Sequence, residues 1–166
     1  MLLALDVHYK ETYAKSVGVL FNTTDHTSKN TIVEVINEVE EYVPGQFYKR
    51  ELPCLLKVIE KVDLSAIDAI IVDGHVYVDN DYSLGLGGYL YEALNKQIPI
   101  IGVAKRSFYT TEKVSKEVSK GQSKNPLYVS AIGMDLKNAI AIVSRLHGEH
   151  RIPTLLKLLD NVTKSE

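Results

Sequence analysis

The chain has no tryptophan, one cysteine, two methionines and three phenylalanines among 166 residues. With Cys54 alone, no intrachain disulfide framework and no cysteine zinc site can form, and a reducing, cytoplasmic setting is the expectation. Cys54 stands in an apolar run with Leu52, Leu55 and Leu56 and reads as a small core residue. No apolar stretch is long enough to span a bilayer. The opening Met1-Leu-Leu-Ala-Leu-Asp6 has no basic start and meets an acid at once, which excludes the pattern of a signal peptide. Charge of one sign is also missing. The 19 Lys and Arg against 21 Asp and Glu leave a net charge of −2, too little for a general attraction to nucleic acid. What is present suits one globular domain over residues 1–166: 45% hydrophobic and 24% charged residues, without repeat, linker or low-complexity segment.

Apolar periodicity divides the chain into elements. Residues 2–7 and 13–21 are β-rich and joined by a short link, so they form an antiparallel pair. Residues 31–39 fit a third strand or a helix by spacing, and their β-branched content favours the strand. A turn at 42–45 precedes a change of period. Leu52, Leu55, Leu56, Ile59 and Val62 recur at helical spacing, which predicts a helix over 47–62. The stretch Ala66-Ile-Asp-Ala-Ile-Ile-Val-Asp-Gly74 is a continuous apolar run ending in an acid and a glycine, the pattern of a strand buried on both faces. A second helix is predicted over 83–95, with Ser83 as N-cap and with glycines 85, 87 and 88 closely approaching a neighbouring backbone. Strands follow at 99–104 and 127–130, with a hairpin arm or edge strand at 110–120. Helices are expected at 135–147, capped by Asp135, and at 152–162, with Pro153 in the first turn. The order predicts an α/β fold with a mixed sheet, an antiparallel meander plus parallel strands, flanked by helices.

Three acids stand out in this scheme. Asp73 ends a buried strand at the carboxyl edge, where open α/β sheets place ligands, although for this acid taken alone a turn or cap role is the favoured account. Asp6 sits within an otherwise apolar strand, either facing water or compensated by a partner. Glu51 projects from the helix between them. Converging carboxylates supply the oxygen set that hard divalent cations prefer, and metal ions serve phosphodiester displacement. Residues 105–124 carry six Lys or Arg against two acids, either a phosphate-following patch or a solvated face. Of the five histidines, His8 and His75 adjoin the proposed ligands, whereas His26, His147 and His150 read as surface residues.

The residues around these acids carry a resemblance. Asp6-Val-His-Tyr9, Tyr42-Val-Pro-Gly-Gln-Phe-Tyr-Lys-Arg-Glu51, Ile71-Val-Asp-Gly74 with Leu84-Gly-Leu-Gly-Gly-Tyr-Leu90, Ile100-Ile-Gly-Val-Ala-Lys105, Pro126-Leu-Tyr-Val-Ser130 and His150-Arg-Ile-Pro153 run in the order of the motifs of the endonuclease V family. The sequence resembles that family from residue 6 to about 160. The resemblance implies a ribonuclease H-like fold and a Mg2+-dependent endonuclease, with Mn2+ as a substitute. Such an enzyme cuts the second phosphodiester 3′ to hypoxanthine in DNA or RNA, in repair of deaminated bases.

By the same resemblance Asp6, Glu51 and Asp73 are catalytic metal ligands, and Lys105 is a catalytic cation near the scissile phosphate. Tyr42, Pro44 and Gly45 form a wedge that holds bases apart, and Gly74 and Arg106 contact nucleic acid. Neither a membrane nor an obligate protein partner is implied. Three departures accompany it. Ser130-Ala-Ile-Gly-Met-Asp135 replaces the family's Ser-Pro-Gly-His, whose histidine is expected at the metal site, with Asp135 as a possible substitute ligand. Tyr77-Val-Asp-Asn-Asp81 replaces its His-Pro pair. The helical extension that usually precedes the first strand is not among these residues. A catalytically weakened nucleic-acid-binding homologue and a nuclease of the same fold with another substrate are the other readings.

Overall fold

A computed structural model describes residues 1–39, 41–108 and 111–166. Its centre is a seven-stranded sheet in the order β3-β2-β1-β4-β5-β7-β6. The strands are β1 (Leu2–Tyr9), β2 (Ala14–Phe21), β3 (Asn30–Ile36), β4 (Ala69–Asp73), β5 (Ile100–Ala104), β6 (Lys116–Val118) and β7 (Leu127–Ile132). Four helices accompany them: α1 (Tyr48–Ile59), α2 (Leu86–Ala93), α3 (Leu136–Arg145) and α4 (Thr154–Lys164). The meander β1-β2-β3 is antiparallel, β4 and β5 are parallel to β1, and β7 returns antiparallel to β5. The expected mixed sheet is therefore present, and residues 30–36 are a strand rather than a helix. β6 is an edge strand on β7. Thr110, where the expected arm begins, lies outside the described residues.

Side chains alternate across the strands and build two cores. Leu3 and Leu5 of β1, Ile70 and Val72 of β4 and Ile100 of β5 pack against α1 and α2. Leu2 and Ala4, Ile71, and Ile101 and Val103 pack against α3 and α4. The odd positions of β4 and β5 thus lead Asp73 and Lys105 onto the α4 side, and the even positions of β1 lead Asp6 there too.

Several boundaries differ from expectation. Helix α2 starts at Leu86 with Gly85 as N-cap, and its cap makes no side-chain hydrogen bond. Ser83 is not the cap, because its N–H is captured by the Asp79 carboxylate at 3.1 Å inside a turn closed by the Tyr77–Leu84 bridge. The expected close approach of the α2 glycines is present: a Cβ on Gly88 would stand 2.8 Å from the Val76 carbonyl oxygen. Asp135 does precede α3, but without a side-chain cap bond. Pro153 sits at the N-cap position of α4 rather than in its first turn.

Gly102 locks the strand ends together. A Cβ there would meet the Gly74 carbonyl and the Ser130 hydroxyl at 2.6 Å each and the Val76 nitrogen at 3.0 Å. Ser130 Oγ also accepts the Val76 N–H at 3.0 Å, tying the segment after Asp73 to β7. Overpacking at so rigid a contact costs roughly 1–3 kcal/mol. Gly102→Ala is expected to lower the urea midpoint accordingly with an unchanged slope, as measured by equilibrium denaturation.

Candidate active site

Strand pairing brings the acids to one edge. Leu5 of β1 is paired with Val72 of β4, so Asp6 and Asp73 follow side by side in register. Gly74 turns the chain there, its N–H bonded to the Val103 carbonyl at 3.1 Å. Helix α1 begins near this edge and offers Glu51 in its first turn, from the opposite side of the sheet. Lys105 follows β5, and its Nζ lies 3.9 Å from Asp73 Oδ2.

The electrostatics show how closely the acids are coupled. Burial pushes Asp6 up to about 7, with the Asp73 charge adding to it, while the Val7 amide and Lys105 oppose the rise. Burial likewise pushes Glu51 to about 7, helped by Asp6 and Asp73. Asp73 is raised by burial, against the favourable charge of Lys105. Desolvation and like charge both favour neutral carboxyls here, so holding these groups ionised calls for added positive charge.

A hard divalent cation fits this all-oxygen donor set and would supply that charge. The set is not a ready-made cage, since among the described residues no three His, Cys, Asp or Glu side chains are grouped to hold a metal ion. His75 is not one of the donors as arranged. It is buried, and its Nε2 lies 2.8 Å from the Arg106 carbonyl. His26 and His147 stack on one another at 3.8 Å, away from the acids.

Sequence reasoning missed a fourth acid. Asp160 of α4 lies 3.7 Å from Lys105 Nζ and is only 14% exposed. Burial alone would raise its pKa, but its hydrogen bond to Lys164 and the charges of Lys105, Lys164 and Lys157 hold it below the usual carboxylate range. Thr163, one turn on, is fully buried with its hydroxyl 3.3 Å from Asp6 Oδ2. The signal was present in the sequence: Leu156, Asp160 and Thr163 share one face at i, i+4 and i+7, so an acid occupies the apolar stripe of an amphipathic helix. The helix is tied down by Lys10, whose Nζ donates to the Lys164 carbonyl at 2.9 Å, and by Lys15, whose Nζ donates to Ser165 Oγ at 2.8 Å. Asp160→Asn is expected to release Lys105 and to lower any cleavage rate at least roughly tenfold, since charge-stabilising groups contribute on that scale or more. A rate assay beside a circular dichroism check of folding tests this.

Two expectations are corrected. β7 runs antiparallel to β5, with Tyr128 opposite Ala104 and Ile132 opposite Ile100. Residues 133–135, after the end of β7, therefore leave the sheet at the edge away from Asp73, and Asp135 cannot serve as a substitute ligand. Nor do residues 133–135 form a wall of the site. Lys120 is also no part of a phosphate-following patch, because it is buried and donates to the Ser144 and Leu146 carbonyls at 3.0 and 2.8 Å, at the end of α3. Arg106, Lys113, Lys116 and Lys124 are exposed. Pro44 and Gly45 lie in an exposed turn between β3 and α1, and Tyr42 is 57% exposed beside it.

The sequence model of the Endonuclease V family matches residues 1–124. The chain belongs to the endonuclease V family. A curated Endonuclease V of Sulfolobus acidocaldarius is 33% identical over 109 residues, 65% of this chain and 50% of that protein. One from Saccharolobus islandicus is 28% identical over 179 aligned positions, 98% of this chain and 81% of the relative. The first alignment thus spans half the length of its relative.

Solved structures of the family share the fold. The catalytic domain of human Endonuclease V superposes with a TM-score of 0.79 at 18% identity, over 98% of this chain and 80% of that one. Ciona intestinalis Endonuclease V, in complex with a 23mer DNA containing an inosine followed by a ribo-adenosine, gives 0.80 at 16%, covering 98% and 83%. The mixed sheet with its flanking helices is thus ribonuclease H-like, as the resemblance implied. The coarse class that goes with the family is a nuclease. Among the described residues no helix is long and apolar enough to cross a membrane.

Proposed function

We propose that this chain is a metal-dependent endonuclease that hydrolyses the second phosphodiester 3′ to hypoxanthine in nucleic acid, in repair of deaminated bases. The observation that carries it is the cluster at the sheet edge, where burial raises Asp6, Glu51 and Asp73, the Asp73 charge adds to the rise of Asp6, those of Asp6 and Asp73 add to the rise of Glu51, and Lys105 stands beside Asp73. Family membership supports the reaction class. The inosine-containing DNA bound by the Ciona relative supports the substrate.

In this reading Asp6, Glu51 and Asp73 would hold magnesium, with manganese as a substitute, and the ion would neutralise charge and favour ionisation of the attacking water. The chain's own residues do the rest. Lys105 offsets negative charge developing on the scissile phosphate, and Asp160 holds Lys105 in place between substrate and acids. Water adds to phosphorus and the bond to the 3′-oxygen breaks, leaving a 3′-hydroxyl and a 5′-phosphate. The exposed turn carrying Tyr42, Pro44 and Gly45 enters the helix as a wedge, and an unstacked or mispaired base costs least to displace. Gly74 and Arg106 stand at the same edge to meet the strand.

The test is an assay with Mg2+ on inosine-containing and control oligonucleotides, of DNA and of RNA, beside Asp73→Asn. Cutting next to inosine that Asp73→Asn abolishes is expected. Absence of cutting on every substrate sinks the proposal. Cutting that ignores inosine leaves a nuclease of this fold with a different substrate.

A further inference from the structure

A pocket opens on the same sheet edge, between the β1–β2 hairpin and the chain that leads from β3 into α1. Its volume is about 310 Å³, and Tyr9, Tyr13, Tyr42 and Arg50 line it, with Glu11 and Glu41 at the rim. Pockets of this size hold small ligands. Proximity to the acids follows from the chain: Tyr9 lies three residues beyond Asp6 on β1, and Arg50 immediately precedes Glu51. The pocket therefore adjoins the acids through these two residues.

The walls have a definite chemistry. The Arg50 guanidinium stacks on the Tyr9 ring at 3.6 Å from its centroid. That contact holds the guanidinium over the ring, and its fork of donors matches a phosphate. Among the described residues it makes no hydrogen bond and no ion pair. The Nε of Arg50 and the hydroxyl of Tyr9 are both buried without a partner. Buried donors left unpaired are costly, and they mark places where a ligand or a rearrangement supplies the acceptor. Tyr13 is half-buried and Tyr42 exposed, so both offer ring faces to a guest. Aromatic faces take any base by stacking. The carboxylates of Glu11 and Glu41 repel a phosphate but accept hydrogen bonds from the amino groups of bases, which sorts the pocket into a phosphate end at Arg50 and a base end at the rim.

We propose that this pocket holds a nucleotide of the substrate strand neighbouring the step that is cut, its phosphate on Arg50 and its base against Tyr13 and Tyr42. It is a second subsite, separate from the acids, and it rests on the reading of the chain as a nuclease of this strand. It gives the turn at residues 42–45 a further role, because a base displaced on one side of Tyr42 finds a receiving wall on the other.

Binding, not cleavage, tests it. Labelled oligonucleotides containing one inosine are trimmed from either end one nucleotide at a time, and affinity is followed by fluorescence anisotropy with Ca2+ in place of Mg2+. The wild-type protein is expected to lose roughly tenfold in affinity at one trimming step, the scale of one base stacked on an aromatic side chain. Tyr13→Ala and Arg50→Lys are expected to bind the untrimmed strand roughly tenfold more weakly and to show no step at that position. Arg50→Lys keeps the charge while losing the fork and the stack. If Arg50→Lys fails to fold, Tyr13→Ala, at a half-buried position, carries the test alone. A step that persists in the variants, or no step in the wild type from either end, overturns the subsite. A protein that binds with the step but never cuts upholds the pocket and sinks the proposed activity, whereas one that cuts beside inosine without any step does the reverse.

Discussion

Asp6→Asn is expected to melt above the wild-type protein at pH 8 in chelator, and to cleave at least roughly a hundredfold more slowly in Mg2+. Both effects have one cause. Asp6 lies among apolar neighbours on β1, with Asp73 and Asp160 adding negative charge, and its carboxyl is pushed up to about 7. Above that pH the folded protein must hold an ionised carboxylate against burial and like charge. The amide of asparagine has no such cost, and its oxygen can still accept the Val7 N–H, now bonded to Asp6 Oδ1 at 2.9 Å. The gain is expected to be roughly 1–3 kcal/mol, or about 5 °C in melting temperature for a domain of this size. The rate loss follows because the amide no longer contributes the negative charge that draws a divalent cation. Differential scanning calorimetry in chelator and a single-turnover assay check the two halves. A variant that melts lower in chelator, with folding otherwise intact, would show that Asp6 is stabilising as it stands.

The second expectation concerns pH and metal together. Asp6 and Glu51 carry carboxyls at about 7, against ordinary values of 3.8 and 4.5. Between those limits the folded state binds more protons than the unfolded state, so stability from these groups falls as pH rises. The loss starts near the unfolded values, deepens towards pH 7 and levels off above it. Because the two groups interact, the pair titrates as a unit, with a total of roughly 2–4 kcal/mol. The stability difference between wild type and a protein carrying both Asp6→Asn and Glu51→Gln should therefore be small near pH 4 and reach that size by pH 8. Mg2+ should act in the opposite sense, raising the wild-type melting temperature more at pH 8 than at pH 5.5, because only ionised carboxylates hold it. Cleavage should rise through about pH 7 and shift to lower pH as Mg2+ is increased. A melting temperature that responds equally to Mg2+ at both pH values would remove these two carboxylates from the metal site.

These acids were visible before any fold was known. Asp73 and Gly74 end a continuous apolar run, and Asp6 interrupts another, so both were marked by contrast with their neighbours. Glu51 was placed by the change from period 2 to period 3.6 after the turn at 42–45. Asp160 was harder to find, because a helix of leucines at the end of the chain reads first as packing. Its position on the apolar stripe became meaningful only when Lys105 stood opposite.

Local pattern alone therefore indicated the elements and their order and marked three acids by contrast with their neighbours, because burial acts on each residue through its immediate neighbours in the chain. The family resemblance joined those acids into a site. Tertiary structure decided what depends on partners far away in sequence. The direction of β7 against β5 sent residues 133–135, with Asp135, to the far edge of the sheet. The end of α3 took Lys120 out of the basic face and into its own carbonyls. The tie of Lys10 and Lys15 to the end of α4 brought Asp160 and Thr163 onto the acids. Each of these contacts joins segments tens of residues apart, and strand register together with helix docking sets them, neither of which a local window of sequence contains.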